Sequence, residues 1–306
     1  MIMSTGGEYN AWLQPCRLDA LCKLCLVCDD NVSEVVKQEC IEGFTRIYGD
    51  VWDDEAKFTI SISLNLITHS ALSQEGFCLE YTKTCFKIRA HNNSGALYGL
   101  FTLFRELSVG KKFEDISLAE SPVIRYRVIN HWDSIEGKIE RGYAGRSIFF
   151  NNNRLDYDPE RIRDYARLLA SIGVNIISIN NVNVTPISAK LITNEMLPDV
   201  KALTDIFREY GVRLALAVHF ESPVMLGVSS TADPLDELVV KWWGERVKEI
   251  YSYIPDFAGF IVKADSEFNN GPQALGRTQA DGANMLARAL SEYGGIVFWR
   301  CFIYNC

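Results

Sequence analysis

Phe257-Ala258-Gly259-Phe260-Ile261-Val262-Lys263-Ala264-Asp265-Ser266-Glu267 is the stretch whose reading settles the fold. Its first half, through Phe260, Ile261 and Val262, is an unbroken apolar run of the kind that forms a strand covered on both faces. It then changes abruptly to Lys263, Asp265 and Glu267, three ionisable residues at alternate positions. Alternate residues of a strand share one face, so a backbone that stays extended aims all three at one place. A core gains nothing from a cation and two carboxylates there, whereas a site does. The competing reading ends the strand at Val262 and leaves the three as solvated loop residues.

The same texture recurs on both sides of that stretch. Strand-like residues 123–130 lead into a long polar loop. Asp158-Pro159 supplies an N-cap and a first-turn proline for a helix with Ile162, Ala166, Leu169 and Ile172 on its apolar side and Gly173 at its end. A strand at 175–179, a helix at 198–210 closed by Gly211, and a strand at 212–218 follow. Asp233-Pro234 is expected to cap the next helix, and the last unit pairs a helix at 281–293 with a strand at 296–301. Strand starts recur about every 40 residues, the rhythm of βα units in a parallel sheet or a TIM barrel. Residues 121–306 are therefore expected to be α/β, the first part of a (β/α)8 TIM-barrel catalytic domain. About five of its eight units are present and its C-terminal remainder is absent.

Residues 1–120 read differently. Strand signals at 18–28 and 58–64, a hairpin around Thr82-Lys83, and two amphipathic helices fit an N-terminal α+β supporting domain. The first helix, at 33–48, carries Val35, Val36, Cys40 and Phe44 on one side. The second is expected to start at Ser94 and run through Leu97, Leu100, Phe101, Leu103, Phe104 and Leu107.

Composition narrows the function. The 306 residues are 48% hydrophobic and 23% charged, as in a globular protein with a large core. A net charge of −8 without a Lys/Arg cluster speaks against nucleic acid. No run approaches the roughly 18 apolar residues of a membrane span, and residues 1–14 lack the form of a signal peptide, so no membrane partner and a cytoplasmic location are expected. Cys22, Cys25 and Cys28, three of nine cysteines, are spaced as CxxCxxC. They sit among Leu21, Leu24, Leu26 and Val27 with no further ligand in spacing. Buried free thiols are expected, and no metal or cofactor.

In parallel α/β folds ligands collect at the carboxyl ends of the strands. Those ends carry Asn130-His131-Trp132-Asp133, with Glu140-Arg141 in the loop beyond, then Asn180-Asn181-Val182-Asn183, His219-Phe220-Glu221, Lys263 to Glu267, and Trp299-Arg300. Each has an ordinary explanation: turn-forming asparagines, a core histidine, core tryptophans, a solvated ion pair. Together they have the composition of a sugar pocket, and no HExxH, GxSxG, Walker or GxGxxG motif offers a rival. A Schiff-base lyase using Lys263 as nucleophile is the other enzyme reading, opposed by two neighbouring acids that favour a charged lysine.

At these residues the sequence resembles the family-67 glycoside hydrolases, the α-glucuronidases. The resemblance runs through residues 130–133, 137–150, 164–184, 231–236, 262–268, 277–286 and 294–306. It implies an inverting hydrolase that removes α-1,2-linked (4-O-methyl)glucuronic acid from xylo-oligosaccharides derived from glucuronoxylan. Glu267 falls on the general acid, Lys263 and Arg300 on residues that bind the uronate, and Glu140 and Arg141 on pocket residues beside it. Trp132, Asp265 and Asn181 complete the expected substrate-binding set. The family's water-activating carboxylates lie on later strands past residue 306, and so does the C-terminal region through which the parent protein is expected to form a homodimer. The other expectation for these 306 residues is a remnant that binds acidic sugars without cleaving them.

Overall fold

The computed structural model describes residues 22–65, 72–266 and 269–300. Two compact units emerge. The first comprises residues 1–127, 164–174 and 209–211, the second residues 128–163, 175–208 and 212–306.

In the first unit, β1 (Leu24–Cys28), β2 (Phe58–Ser63), β3 (Phe77–Thr82), β4 (Cys85–Ala90) and β5 (Leu118–Glu120) form one sheet in the order β1-β2-β4-β3-β5. The β1–β2 and β2–β4 pairs are parallel, while β3 runs antiparallel to β4 and β5. Helices α1 (Glu34–Tyr48) and α2 (Asn93–Ser108) supply the apolar cover. Ser33 caps α1 as its sequence suggests, its hydroxyl accepting from Val36 N–H. The cap of α2 is Asn92, not the expected Ser94, because the Asn92 side chain reaches the Gly95 N–H and starts the helix earlier. Phe44 sits at the centre, with Phe104, Phe113 and Trp52 around it. A Cβ at Gly43 would overlap the Phe104 ring, so glycine is what lets α1 and α2 approach this closely.

The CxxCxxC motif ends on β1. Cys25 and Cys28 are an odd number of residues apart on a strand, so they project from opposite faces and cannot share a ligand. The expectation of buried thiols needs correcting here: Cys22 is exposed and the other two are half-buried. Their partial exposure reflects the place of β1 at the edge of its sheet. The part of the expected strand at 18–21 lies outside the described residues.

The second unit opens with β6 (Val128–Asn130) and a short hairpin, β7 (Phe150–Asn151) and β8 (Arg154–Leu155); α3 (Pro159–Ser171) follows in the chain, its residues from Asp164 on belonging to the first unit. Then come β9 (Ile176–Ile179), α4 (Leu197–Glu209), β10 (Arg213–His219), the single-turn α5 (Ser222–Met225), α6 (Glu237–Tyr253), β11 (Gly259–Lys263), α7 (Gln279–Ser291) and β12 (Ile296–Arg300). The strands form an all-parallel sheet in the order β12-β11-β10-β9-β6. Each new strand joins beside the last with no reversal, as in one arc of a barrel; a doubly wound sheet would reverse. β9, β10 and β11 are buried along nearly their whole length, which is why their sequences are apolar runs without alternation. At the start of β11, Gly259 has φ +134°, and a Cβ there would collide with the Ile296 backbone.

Several boundaries differ from expectation. β6 begins at Val128, since Val123 and Ile124 are exposed. Ile172 lies past the end of α3 and is also exposed. Asp236, not Asp233, caps α6, accepting from Leu238 and Val239 N–H. Asp233 is otherwise engaged, receiving two hydrogen-bonding arms from Arg277. Among the described residues no helix is long and apolar enough to cross a membrane.

Candidate active site

The register of three strands builds the site. His219 on β10 stands opposite Lys263 on β11, which stands opposite Arg300 on β12. Two residues earlier, Ala217, Ile261 and Phe298 are likewise in register. Ala217 and Ile261 cluster with Val182, and Phe298 and Trp132 pack against them. Positions two apart on a strand share a face, so His219, Lys263 and Arg300 form a polar layer directly above this apolar floor. Trp132, from the loop after β6, belongs to both layers. Its ring lies on the cluster, and the Arg300 guanidinium sits over it at 4.8 Å from the centroid.

Lys263 is 1% exposed, and its Nζ donates to Asn183 Oδ1 at 2.6 Å. Two cations side by side raise the local potential at one end of a sheet in a chain of net charge −8. A carboxylate suits such a pair of cations, and Arg can bind it with two parallel hydrogen bonds.

Asn181 is buried and organises the loop above β6. Its Nδ2 donates to Trp132 O at 3.0 Å and lies 3.3 Å from both Ser134 Oγ and Glu140 O, while its Oδ1 accepts from Asn183 N–H at 2.8 Å. Glu140 N–H in turn donates to Trp132 O at 2.8 Å. Asn181 thus holds Trp132 and Glu140 in place. Glu140 adopts φ +53°, uncommon for a residue with a Cβ, and its side chain is only 10% exposed. Its Oε2 is buried without a hydrogen-bond partner among the described residues, an acceptor that a ligand hydroxyl would satisfy. Arg141 is 3.6 Å from Glu140 Oε1 and largely exposed. Asp133, 1% exposed, also has both carboxylate oxygens without such a partner, with His131 Nδ1 3.5 Å away.

The alternation expected over Lys263, Asp265 and Glu267 does not persist. β11 ends at Lys263, and Asp265 turns to φ +49°. Its carboxylate accepts from Gln273 N–H at 3.2 Å and Gln279 Nε2 at 2.6 Å, and Gln279 Oε1 accepts from Trp299 Nε1 at 2.6 Å. Asp265 therefore braces the loop before α7, because amide donors there outcompete an extended backbone. Trp299 alternates to the helix side of the sheet, beside Phe220 and against the Gly282 backbone of α7, so it is absent from the layer that holds Arg300. Glu267 lies outside the described residues. Ser266 and Asn269, which flank it in sequence, exchange backbone hydrogen bonds of 3.1 and 2.9 Å.

His219 is 3% exposed, and burial lowers its pKa below that of a free histidine. Its Nδ1 accepts from Glu221 N–H at 3.0 Å. Of the side chains that link this layer, Asn183 stood among the strand-end residues singled out in the sequence, whereas Asn269 and Gln279 are amides in a loop and a first helical turn, where a turn or cap role is the ordinary expectation.

Comparison with known proteins bears on this arrangement. The model of the glycosyl hydrolase family 67 middle domain matches residues 106–306. A probable alpha-glucuronidase A of Aspergillus fumigatus is 44% identical over 234 residues, covering 76% of this chain and 27% of that protein. The probable alpha-glucuronidase A of Aspergillus oryzae is 40% identical over 331 residues, covering 100% of this chain and 39% of that protein. The chain thus spans well under half the length of these relatives. Among solved structures, the Flavobacterium johnsoniae chitobiase superposes with a TM-score of 0.55 at 13% identity, over 92% of this chain and 49% of that one, a likeness of fold alone.

Proposed function

Because the chain belongs to glycosyl hydrolase family 67, we propose that it supplies the uronate-binding half of an α-glucuronidase, a hydrolase that releases (4-O-methyl)glucuronic acid from xylo-oligosaccharides. The observation that carries this reading is the single register of Lys263 and Arg300 above Trp132. The two cations take the carboxylate that distinguishes glucuronate from glucose. The indole covers a ring face, and the open acceptor of Glu140 takes a hydroxyl.

In this reading Glu267 is the general acid. It protonates the glycosidic oxygen as the bond to the anomeric carbon breaks. A second carboxylate takes a proton from the water that attacks the opposite face, which inverts the configuration. That second carboxylate and the strands that close the barrel come from the remainder of the protein. Uronate bound to Lys263 and Arg300 neutralises two cations of the site, which favours a general acid that keeps its proton when substrate is present.

The test is Arg300→Ala in the full-length protein. Glucuronate binding is expected to weaken by about thirtyfold or more, the roughly 2–5 kcal/mol of a lost buried charge partner, with neutral xylobiose unaffected. Equal weakening of both ligands overturns the assignment. Glu267→Gln should remove most turnover of natural substrate and spare an aryl glucuronide whose leaving group needs no proton; equal loss on both shifts the acid role to another carboxyl.

A further inference from the structure

We propose that His219 is a positioning residue: through Asn269 and Asn183 it sets the acceptor that aims the Lys263 ammonium at its ligand. This rests on the reading of Lys263 as a uronate-binding group.

The hydrogen bonds admit one direction of donation. Asn183 Oδ1 receives Lys263 Nζ at 2.6 Å and Asn269 Nδ2 at 3.3 Å, so that atom is the amide oxygen. Asn269 therefore presents its own Oδ1 elsewhere, and its side chain hydrogen-bonds the His219 ring. The ring's Nδ1 is taken by the Glu221 N–H at 3.0 Å, which leaves Nε2–H as the donor to Asn269. Only the neutral Nε2–H tautomer satisfies both contacts, because a proton on Nδ1 would face the Glu221 N–H donor. Burial of the ring works the same way, disfavouring the charged form. The outcome is a one-way series from His219 Nε2–H to Asn269, from Asn269 Nδ2–H to Asn183, with Lys263 donating to the same oxygen.

Each link is otherwise fixed. Asn269 is held by the paired backbone bonds with Ser266, and Asn183 by the Asn181 side chain on its N–H. The orientation of each amide is set by its hydrogen bonds, since its two ends differ only in those. Asn269 Nδ2 also donates to Ser266 O at 3.2 Å, and the donor from His219 fixes the other end of the same amide, so that losing it loosens the hold that keeps Nδ2 toward Asn183. The site loses one of the two donors that orient the Asn183 oxygen, and Lys263 loses a fixed partner.

Two substitutions separate the halves of the ring. His219→Gln can keep a donor near the Nε2 position, while His219→Asn keeps an acceptor near Nδ1 and loses the donor. In the full-length protein, His219→Asn is expected to weaken glucuronate binding about tenfold, the order of one buried hydrogen bond, with xylobiose unchanged. His219→Gln is expected to stay within about threefold of the unsubstituted protein. Equal losses in the two variants, no loss in either, or equal losses for the two ligands overturns the proposal. If His219→Asn fails to fold, 15N spectra decide it. The unsubstituted protein should show the neutral Nε2–H imidazole, and Asn269→Ala should shift both the His219 and the Lys263 Nζ signals. A different tautomer or an unmoved Lys263 signal refutes the series. Should the unsubstituted protein bind no glucuronate at all, the functional reading falls, and the series is then judged by the spectra alone.

Discussion

The two units place buried charge in opposite ways. In the first, Glu39 is 4% exposed and is met by Arg167 Nε at 2.7 Å and Tyr210 Oη at 2.7 Å, while Asp164 takes another Arg167 arm at 2.7 Å. Every group faces its opposite, as a structural network must if it is to offset desolvation. In the second unit the sheet brings two like charges, Lys263 and Arg300, into one register, beside a buried histidine and the open acceptors of Glu140 and Asp133. Burial alone does not mark a functional residue. Charge matched by opposite charge holds the fold together, while like charges gathered beside buried carboxylate oxygens that have no hydrogen-bond partner among the described residues are the arrangement we propose as a site.

That contrast can be broken by substitution. The largest effect is expected from Glu39→Ala, which leaves Arg167 buried without its partner. Denaturant unfolding of the first unit should lose about 3–5 kcal/mol, with glucuronate affinity of the folded protein unchanged. A loss below about 1 kcal/mol would place this network with ordinary surface pairs. Gly43→Ala comes next, because the Phe104 ring is buried and cannot withdraw from the new methyl. About 1–3 kcal/mol of stability should be lost, again without a change in ligand binding. Trp132→Leu sharpens the other side of the comparison. Removing the ring beneath Arg300 should weaken glucuronate roughly fivefold to tenfold, the scale of a cation–π contact of about 1 kcal/mol, and cost less stability than either change in the first unit. Loss of stability without loss of affinity would make Trp132 a core residue only.

The smallest effect is on pH. The folded pKa of His219 is depressed, chiefly by burial, with Glu221 pulling it up, and Lys263 is its register partner on β11. The unfolded chain then takes up a proton that the folded chain refuses. Stability is fully present above the unfolded value of about 6.5 and declines as pH falls from there toward the folded value. His219→Gln should flatten that decline in a series of thermal melts; an unchanged slope would mean that the histidine titrates alike in both states.

Much of the chain after residue 127 was readable in the sequence itself. Gly173 and Gly211 end helices with positive φ, Pro159 opens α3, and the apolar runs at 176–179, 213–219 and 259–263 are buried strands. These are local signals, since turn chemistry and strand burial leave their mark within a few residues. Where reading failed, a partner distant in sequence had intervened. Arg277 withdrew Asp233 from its expected cap, and Gln279 drew Asp265 away from the face of Lys263. Asn92 displaced Ser94 as a cap by the opposite route, local competition between two suitable residues two positions apart.

The sequence by itself determined that Lys263 and Arg300 stand at the ends of parallel strands, because an apolar run interrupted by charge can end in few other ways. Which of the polar residues at those ends face one another was decided only by tertiary structure. Strand register put His219, Lys263 and Arg300 on one level and sent Trp299 to the other face. Register follows from how strands from distant parts of the chain fit over a common floor of Val182, Ala217 and Ile261. A shift of one residue would exchange the faces of the sheet, and no local feature of any single strand specifies that choice.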